Sequence, residues 1–145
     1  MPGVLSNIVF TPLPGSFNRK PLVEATLIAG YGITDDRKGG HPKRNLNIMD
    51  EEMLAMLASE GYPAQPGVLG ENLVVQGINV SALPAGSHLR IGDSALIEVG
   101  KLREPCYKLT ALDARMPDTV IGRVGVMARV LHGGIIRVGD SVYTS

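Results

Sequence analysis

Eighteen glycines and ten prolines are spread through the 145 residues, so most secondary-structure elements in this chain must be short. Both residues suit tight turns and weaken the interiors of helices and strands, which favours many brief pieces over a few long ones. Apolar residues make up 44% of the chain, enough to build a core. One domain spanning residues 1–145 is expected, and at this length it buries about two-thirds of the surface its unfolded chain exposes.

The runs between the breakers read mainly as strands. Residues 4–11 are β-rich, and in residues 22–29 Leu22, Glu24, Thr26 and Ile28 alternate with Val23, Ala25, Leu27 and Ala29. Glu24 is the only charge in that run, which predicts a strand with limited solvent exposure. Pro12, Pro14, Gly15 and Pro21 force a loop between the two. Residues 30–44 carry no core periodicity and read as one long functional loop, with a short strand at 45–49 leading out of it.

A helix is predicted next. Asp50 is a suitable N-cap, Glu51 and Glu52 complement the helix dipole, and Gly61 provides the stop. Met53, Leu54, Met56, Leu57 and Ala58 give it an apolar side, which reads as core packing rather than a cofactor box.

The second half returns to strands, at 72–76, 88–91, 95–102, 120–131, 135–138 and 141–143. A weak repeat relates residues 89–95 to 136–142, each with a Gly-Asp turn between two β-runs, and reads as two similar units of one barrel. The fold class predicted is therefore mainly β, a closed or partly closed barrel with one or two short helices.

Several function classes are excluded by composition. Fourteen basic and fourteen acidic residues cancel, so no global attraction to nucleic acid or an anionic membrane is expected. A single cysteine rules out an intramolecular disulfide framework and a structural CxxC zinc site. No apolar run approaches the roughly 18 residues of a transmembrane helix. The opening residues lack the charge and apolar pattern of a signal peptide, so a cytoplasmic location is expected. His41, His88 and His132 form no metal-binding pair, and neither GxSxG nor SxxK occurs.

Three segments could carry chemistry. Cys106 ends an apolar strand, beside Lys101, Arg103 and Lys108, and Pro105 suits the first position of a helix over the following residues. Such a setting stabilises a thiolate, whereas a lone cysteine is as readily a small buried hydrophobe. Local sequence leaves these readings level. Residues 37–44 concentrate four basic side chains with His41 and two glycines. They suit an anion, or else form a solvated loop balancing Asp35, Asp36, Glu51 and Glu52. Gly70, Glu71 and Asn72 stand at the mouth of a strand, where they could read a heterocycle or simply hold the turn.

Taken in order, these segments resemble the MOSC domain, the C-terminal domain of molybdenum-cofactor sulfurases. The resemblance rests on residues 39–44, on Gly67 to Leu73, on residues 89–99, on Arg103-Glu104-Pro105-Cys106, and on Gly125 to Val130 with Gly139-Asp140. It implies a barrel of the pyruvate-kinase-barrel type that binds a molybdenum-pyranopterin cofactor. Cys106 would match the family's invariant cysteine, which ligates molybdenum in members that reduce N-hydroxylated compounds and is proposed to carry a persulfide in sulfurases. His41, Arg44, Gly70, Glu71, Asn72 and Arg103 would bind the cofactor, with Lys38 and Lys43 as further cations for its phosphate. Without a PLP-dependent desulfurase domain or an iron–sulfur cysteine cluster, the resemblance implies an external electron donor or a separate cysteine desulfurase as partner. A non-catalytic sulfur-carrier (cysteine persulfide) or partner-binding module remains as the alternative, a metal-free thiol enzyme ranks behind it, and a homodimer is among the assemblies expected.

Overall fold

A computed structural model describes residues 2–11, 20–36, 40, 45–105, 107–116 and 118–144. The first strands are β1 (Gly3–Phe10), β2 (Lys20–Leu22), β3 (Glu24–Ile28), β4 (Gly32–Ile33) and β5 (Leu46–Asp50). After helix α1 (Glu51–Ser59) come β6 (Leu73–Gln76), β7 (His88–Ile91) and β8 (Ala95–Leu102). The chain finishes with β9 (Val126–His132), β10 (Gly134–Arg137) and β11 (Ser141–Thr144).

Seven strands close into a barrel in the order β11-β7-β8-β9-β5-β6-β1, and β1 returns to β11 through Gly3 opposite Val142 and Val4 opposite Ser141. β2 extends the sheet from β1 as an overhang. All pairs along the barrel are antiparallel except β5 with β6. Parallel neighbours need a crossover, and α1 is part of it. A separate three-stranded sheet is formed by β10, β3 and β4.

Two apolar clusters hold these layers. The barrel interior packs Leu5, Ile8, Ile48, Leu73, Val75, Leu89, Ile97 and Val126 with inward residues of the small sheet. The second cluster lies outside the barrel wall, where Met49 and Val74 meet Leu54 and Leu57 of α1 and Leu109, Met116, Val120 and Val124 of the segment before β9. Strands β5 and β6 are thus covered on both faces, which is why Leu73, Val74 and Val75 form an unbroken buried run.

Helix α1 begins and ends as its residues dictate. The Asp50 carboxylate accepts the Met53 N–H at 3.0 Å, and Gly61 follows the last turn at φ +94°.

Four expectations need correction. Residues 30–44 are not all loop, because β4 pairs with β3 and Ile33 enters the barrel core. The residues after Pro105 form a 3-10 turn, Tyr107–Ala111, rather than an α-helix. The strand expected at 120–131 starts at Val126, since Val120 and Val124 instead fill the second cluster. β3 exposes Glu24, Thr26 and Ile28, because the small sheet is covered on its inner face alone; Glu24 accepts Arg137 Nε–H at 2.8 Å across that sheet.

The repeat is built asymmetrically. Its first copy is the β7–β8 hairpin, with Ile91 opposite Ala95. Its second copy splits between the two sheets, since β10 pairs with β3 while β11 joins the barrel. The two turns meet: a Cβ on Gly92 would lie 2.7 Å from Asp140 Oδ2, the atom that accepts the Arg137 N–H at 2.8 Å. Among the described residues, no helix is long and apolar enough to cross a membrane.

Candidate functional site

Strands β5, β6 and β8 run in the same direction, but their register is staggered: Leu102 lies opposite Val126, Val126 opposite Ile48 and Ile48 opposite Leu73, so the exit of β8 and the entrance of β6 share one row across the sheet, the rim of the candidate site. Gly70, Glu71 and Asn72 lead into β6, and all three are buried. Asn72 is locked on both sides. Its backbone N–H donates to Asn47 O at 2.8 Å, and its carbonyl accepts the Val9 N–H at 2.7 Å. Its side chain accepts the Asn47 N–H at 3.0 Å and donates from Nδ2 to Asp36 Oδ2 at 3.3 Å. The other Asp36 oxygen accepts the Thr11 N–H at 2.8 Å, and Asn47 Nδ2 donates to Gly70 O at 3.3 Å.

One continuous polar chain therefore runs from Thr11, just past β1, through Asp36, Asn72 and Asn47 to the Gly70 carbonyl. Buried polar groups require partners of this kind, and the chain supplies them within the rim itself. Asn72 has no accessible surface, so its side chain holds backbone and presents nothing to solvent.

Arg103 arrives from the far side. It follows β8, its backbone N–H donates to Gly125 O at 2.9 Å, and its guanidinium lies over Gly70. A Cβ on Gly70 would stand 2.7 Å from Arg103 Nη2, and Gly70 adopts φ +97°. Glycine is thus required here twice, for the backbone angle and for the close approach of a cation. The rim presents a guanidinium whose donors suit a phosphate or a comparable anion.

The structure brings Gly70, Glu71, Asn72 and Arg103 together. Cys106, His41 and Arg44 lie outside the described residues, as do Lys38 and Lys43. Next to Cys106 in sequence, Glu104 and Pro105 line a cavity of about 360 Å³ with Asp118 and Ile121. The segment beyond it is stitched to the end of α1. Tyr62 Oη donates to Thr119 Oγ1 at 2.6 Å, the Arg115 guanidinium sits 4.2 Å from the Tyr62 ring centre, and Arg123 pairs with Glu60. The Arg123 hydrogen bond holds the Glu60 carboxyl below its ordinary value, and Arg115 draws Asp113 down to about 2 in the same way.

Sequence reading missed Asp36, Asn47, Asn45 and Thr11. The available signal was two polar residues, Asn45 and Asn47, at alternate positions in an otherwise apolar run, and Asp36 passed as one loop charge among several.

The comparisons agree with this architecture. The MOSC domain family matches residues 35–143. The chain belongs to the MOSC domain family. A protein named "Reductase" from Gibberella moniliformis is 35% identical to this MOSC chain over 80 residues, covering 52% of the chain and 14% of that protein. This MOSC chain thus matches a small part of a much longer relative. The YuaD protein from Bacillus subtilis shares the fold with a TM-score of 0.83 at 19% identity, covering 99% of this chain and 96% of its own. YiiM from Escherichia coli superposes with a TM-score of 0.71 at 26% identity, over 100% of this chain and 70% of its own.

Proposed function

We propose that this MOSC domain binds a molybdenum-pyranopterin cofactor at the β5–β6–β8 rim and takes part in reducing N-hydroxylated compounds. The observation that carries the reading is the guanidinium of Arg103 seated over Gly70, three residues ahead of the single cysteine. That donor set fits the group: a fixed cation for an anionic tail and a soft thiolate for molybdenum.

When bound, the cofactor supplies the redox chemistry. The chain's own residues have separable roles in this reading. Arg103, with the cations Lys38, Lys43 and Arg44 and with His41, holds the anionic end. Glu71 is as sealed as Asn72, so both would serve the heterocycle by shaping the backbone beside it. The Cys106 thiolate ligates the metal. One cysteine cannot build an iron–sulfur ligand set within these 145 residues, so electrons would reach the cofactor from outside this domain.

Molybdenum analysis of protein produced in a cofactor-competent host tests this reading. The expected result is molybdenum in the wild type, lost in Cys106→Ala and reduced in Arg103→Ala. Absence of molybdenum from the wild type sinks it. The Gibberella moniliformis relative is named a reductase, which favours reduction over sulfur handling. In the second reading, Cys106 carries sulfur as a persulfide received from a cysteine desulfurase. It requires a sulfur adduct on Cys106 by mass spectrometry after incubation with an active desulfurase.

A further inference from the structure

Along β5, Leu46 and Ile48 enter the barrel core and Met49 packs in the second cluster, whereas Asn47 keeps part of its surface open. Asparagine is depleted in strands, and here most of its polar groups are engaged. Its N–H donates to Asn72 Oδ1 at 3.0 Å, its carbonyl accepts the Asn72 N–H at 2.8 Å, and its Nδ2 donates to Gly70 O at 3.3 Å. A backbone carbonyl only accepts, so the Gly70 bond fixes which end of the Asn47 amide is nitrogen. Oδ1 is thereby held as an acceptor at the rim, and among the described residues nothing donates to it.

Gly70 is also the residue over which the Arg103 guanidinium lies, with Nη2 2.7 Å from its ideal Cβ position. One residue therefore meets a cation at its Cα and an oriented amide at its carbonyl. Glu71 and Asn72 belong to the same turn but are sealed, at 1% and 0% exposure. Asn47 meets that turn with one end left open.

We propose that Asn47 is a specificity-determining residue of this rim: its Oδ1 accepts a hydrogen bond from a ring N–H or amino group of the ligand whose anionic end Arg103 holds. The ligand is that of the cofactor reading above, on which this inference rests. A pterin ring offers both kinds of donor, so the outward acceptor selects it over a ring with acceptors alone. Because the amide is already braced against Gly70, little ordering is left for binding to supply. The same brace ties recognition of the ring to the turn beneath Arg103.

The probe that tests this is hydroxymethylpterin phosphate, compared with two analogues, one methylated at the ring N–H and one whose amino group is replaced by hydrogen. The chain has no tryptophan, so the fluorescence of the pterins themselves reports binding to protein made in a host that lacks the cofactor. The wild type is expected to bind one analogue about tenfold more weakly than the parent probe. Asn47→Leu keeps a branched side chain and removes the acceptor, so it is expected to bind the parent and that analogue alike. Loss of the brace weakens all the probes together, and the ratio between probes isolates the hydrogen bond.

Equal binding of all the probes by the wild type overturns the proposal. So does a ratio that Asn47→Leu preserves, because a merely structural role or a steric clash leaves the ratio in place. If Asn47→Leu does not fold, the side-chain amide signal of Asn47 in the wild type decides the matter by NMR at saturating probe. A shift with the parent probe that the weaker analogue does not reproduce supports the contact, and equal shifts overturn it. Failure of the parent probe to bind also overturns the inference. Molybdenum in wild-type protein from a cofactor-competent host decides the cofactor reading separately, so the two can fail independently.

Discussion

Arg103 Nη2 occupies almost the place where a side chain on Gly70 would begin, 2.7 Å from the ideal Cβ position. Residues 33 apart are locked against one another, and the guanidinium belongs as much to the β6 entrance as to the end of β8. Gly70→Ala should therefore cost about 1–3 kcal/mol, from the positive φ and from displacement of the arginine. Adding Arg103→Ala removes the clash, so the double variant should be less destabilised than the sum of the singles. Urea unfolding of all three variants measures that coupling, and strict additivity would contradict the contact.

The start of α1 offers a second test. Asp50→Ala removes the acceptor of the Met53 N–H and should cost about 1–2 kcal/mol. Asp50→Asn keeps an acceptor there and should cost clearly less. Equal losses in thermal unfolding would show that the cap contributes nothing.

Acid titration separates two opposing contributions. Burial raises the Asp50 carboxyl above its ordinary value, more than the Met53 bond lowers it. Between that raised value and the unfolded 3.8 the native state binds the extra proton, so this group adds stability as pH falls and loses it as pH rises. Asp113 behaves oppositely. Its pairing contributes above 3.8 and disappears as pH falls toward about 2. Asp113→Asn should remove the stability loss within that lower window, and Asp50→Asn should steepen the net decline above it. Stability curves from pH 2 to 7, on the order of one point per half unit, would reveal either slope.

Tyr62→Phe tests the stitching of the segment that follows Cys106. Losing the bond to Thr119 should cost about 1 kcal/mol and speed amide exchange around the 3-10 turn Asp118–Val120 more than in the barrel strands. Hydrogen exchange followed by mass spectrometry distinguishes this from uniform loosening.

Much of the fold is readable from local pattern. Alternation marks Ala25 and Leu27 as inward, Asp50 and Gly61 bound the helix, and Gly92-Asp93 marks the β7–β8 hairpin. Local pattern failed at Val120 and Val124. Their β-branched character fits a strand, yet burial in a cluster outside the barrel satisfies it equally well. It failed also at Ile33, whose two-residue strand is too short to show a period.

The candidate site divides in the same way. Sequence alone determined that one thiol, one basic segment and the Gly70-Glu71-Asn72 turn are the chain's chemically distinctive parts, because residue type and order are local facts. Only tertiary structure decided that Arg103 lies on Gly70, that Asn72 is sealed from solvent, and that Asp36 joins it to Thr11. The physical reason is closure of the barrel. Backbone periodicity encodes which side of a strand is buried, whereas the partners of a buried polar group 25 to 36 residues away are chosen by which strand ends the closed sheet brings together.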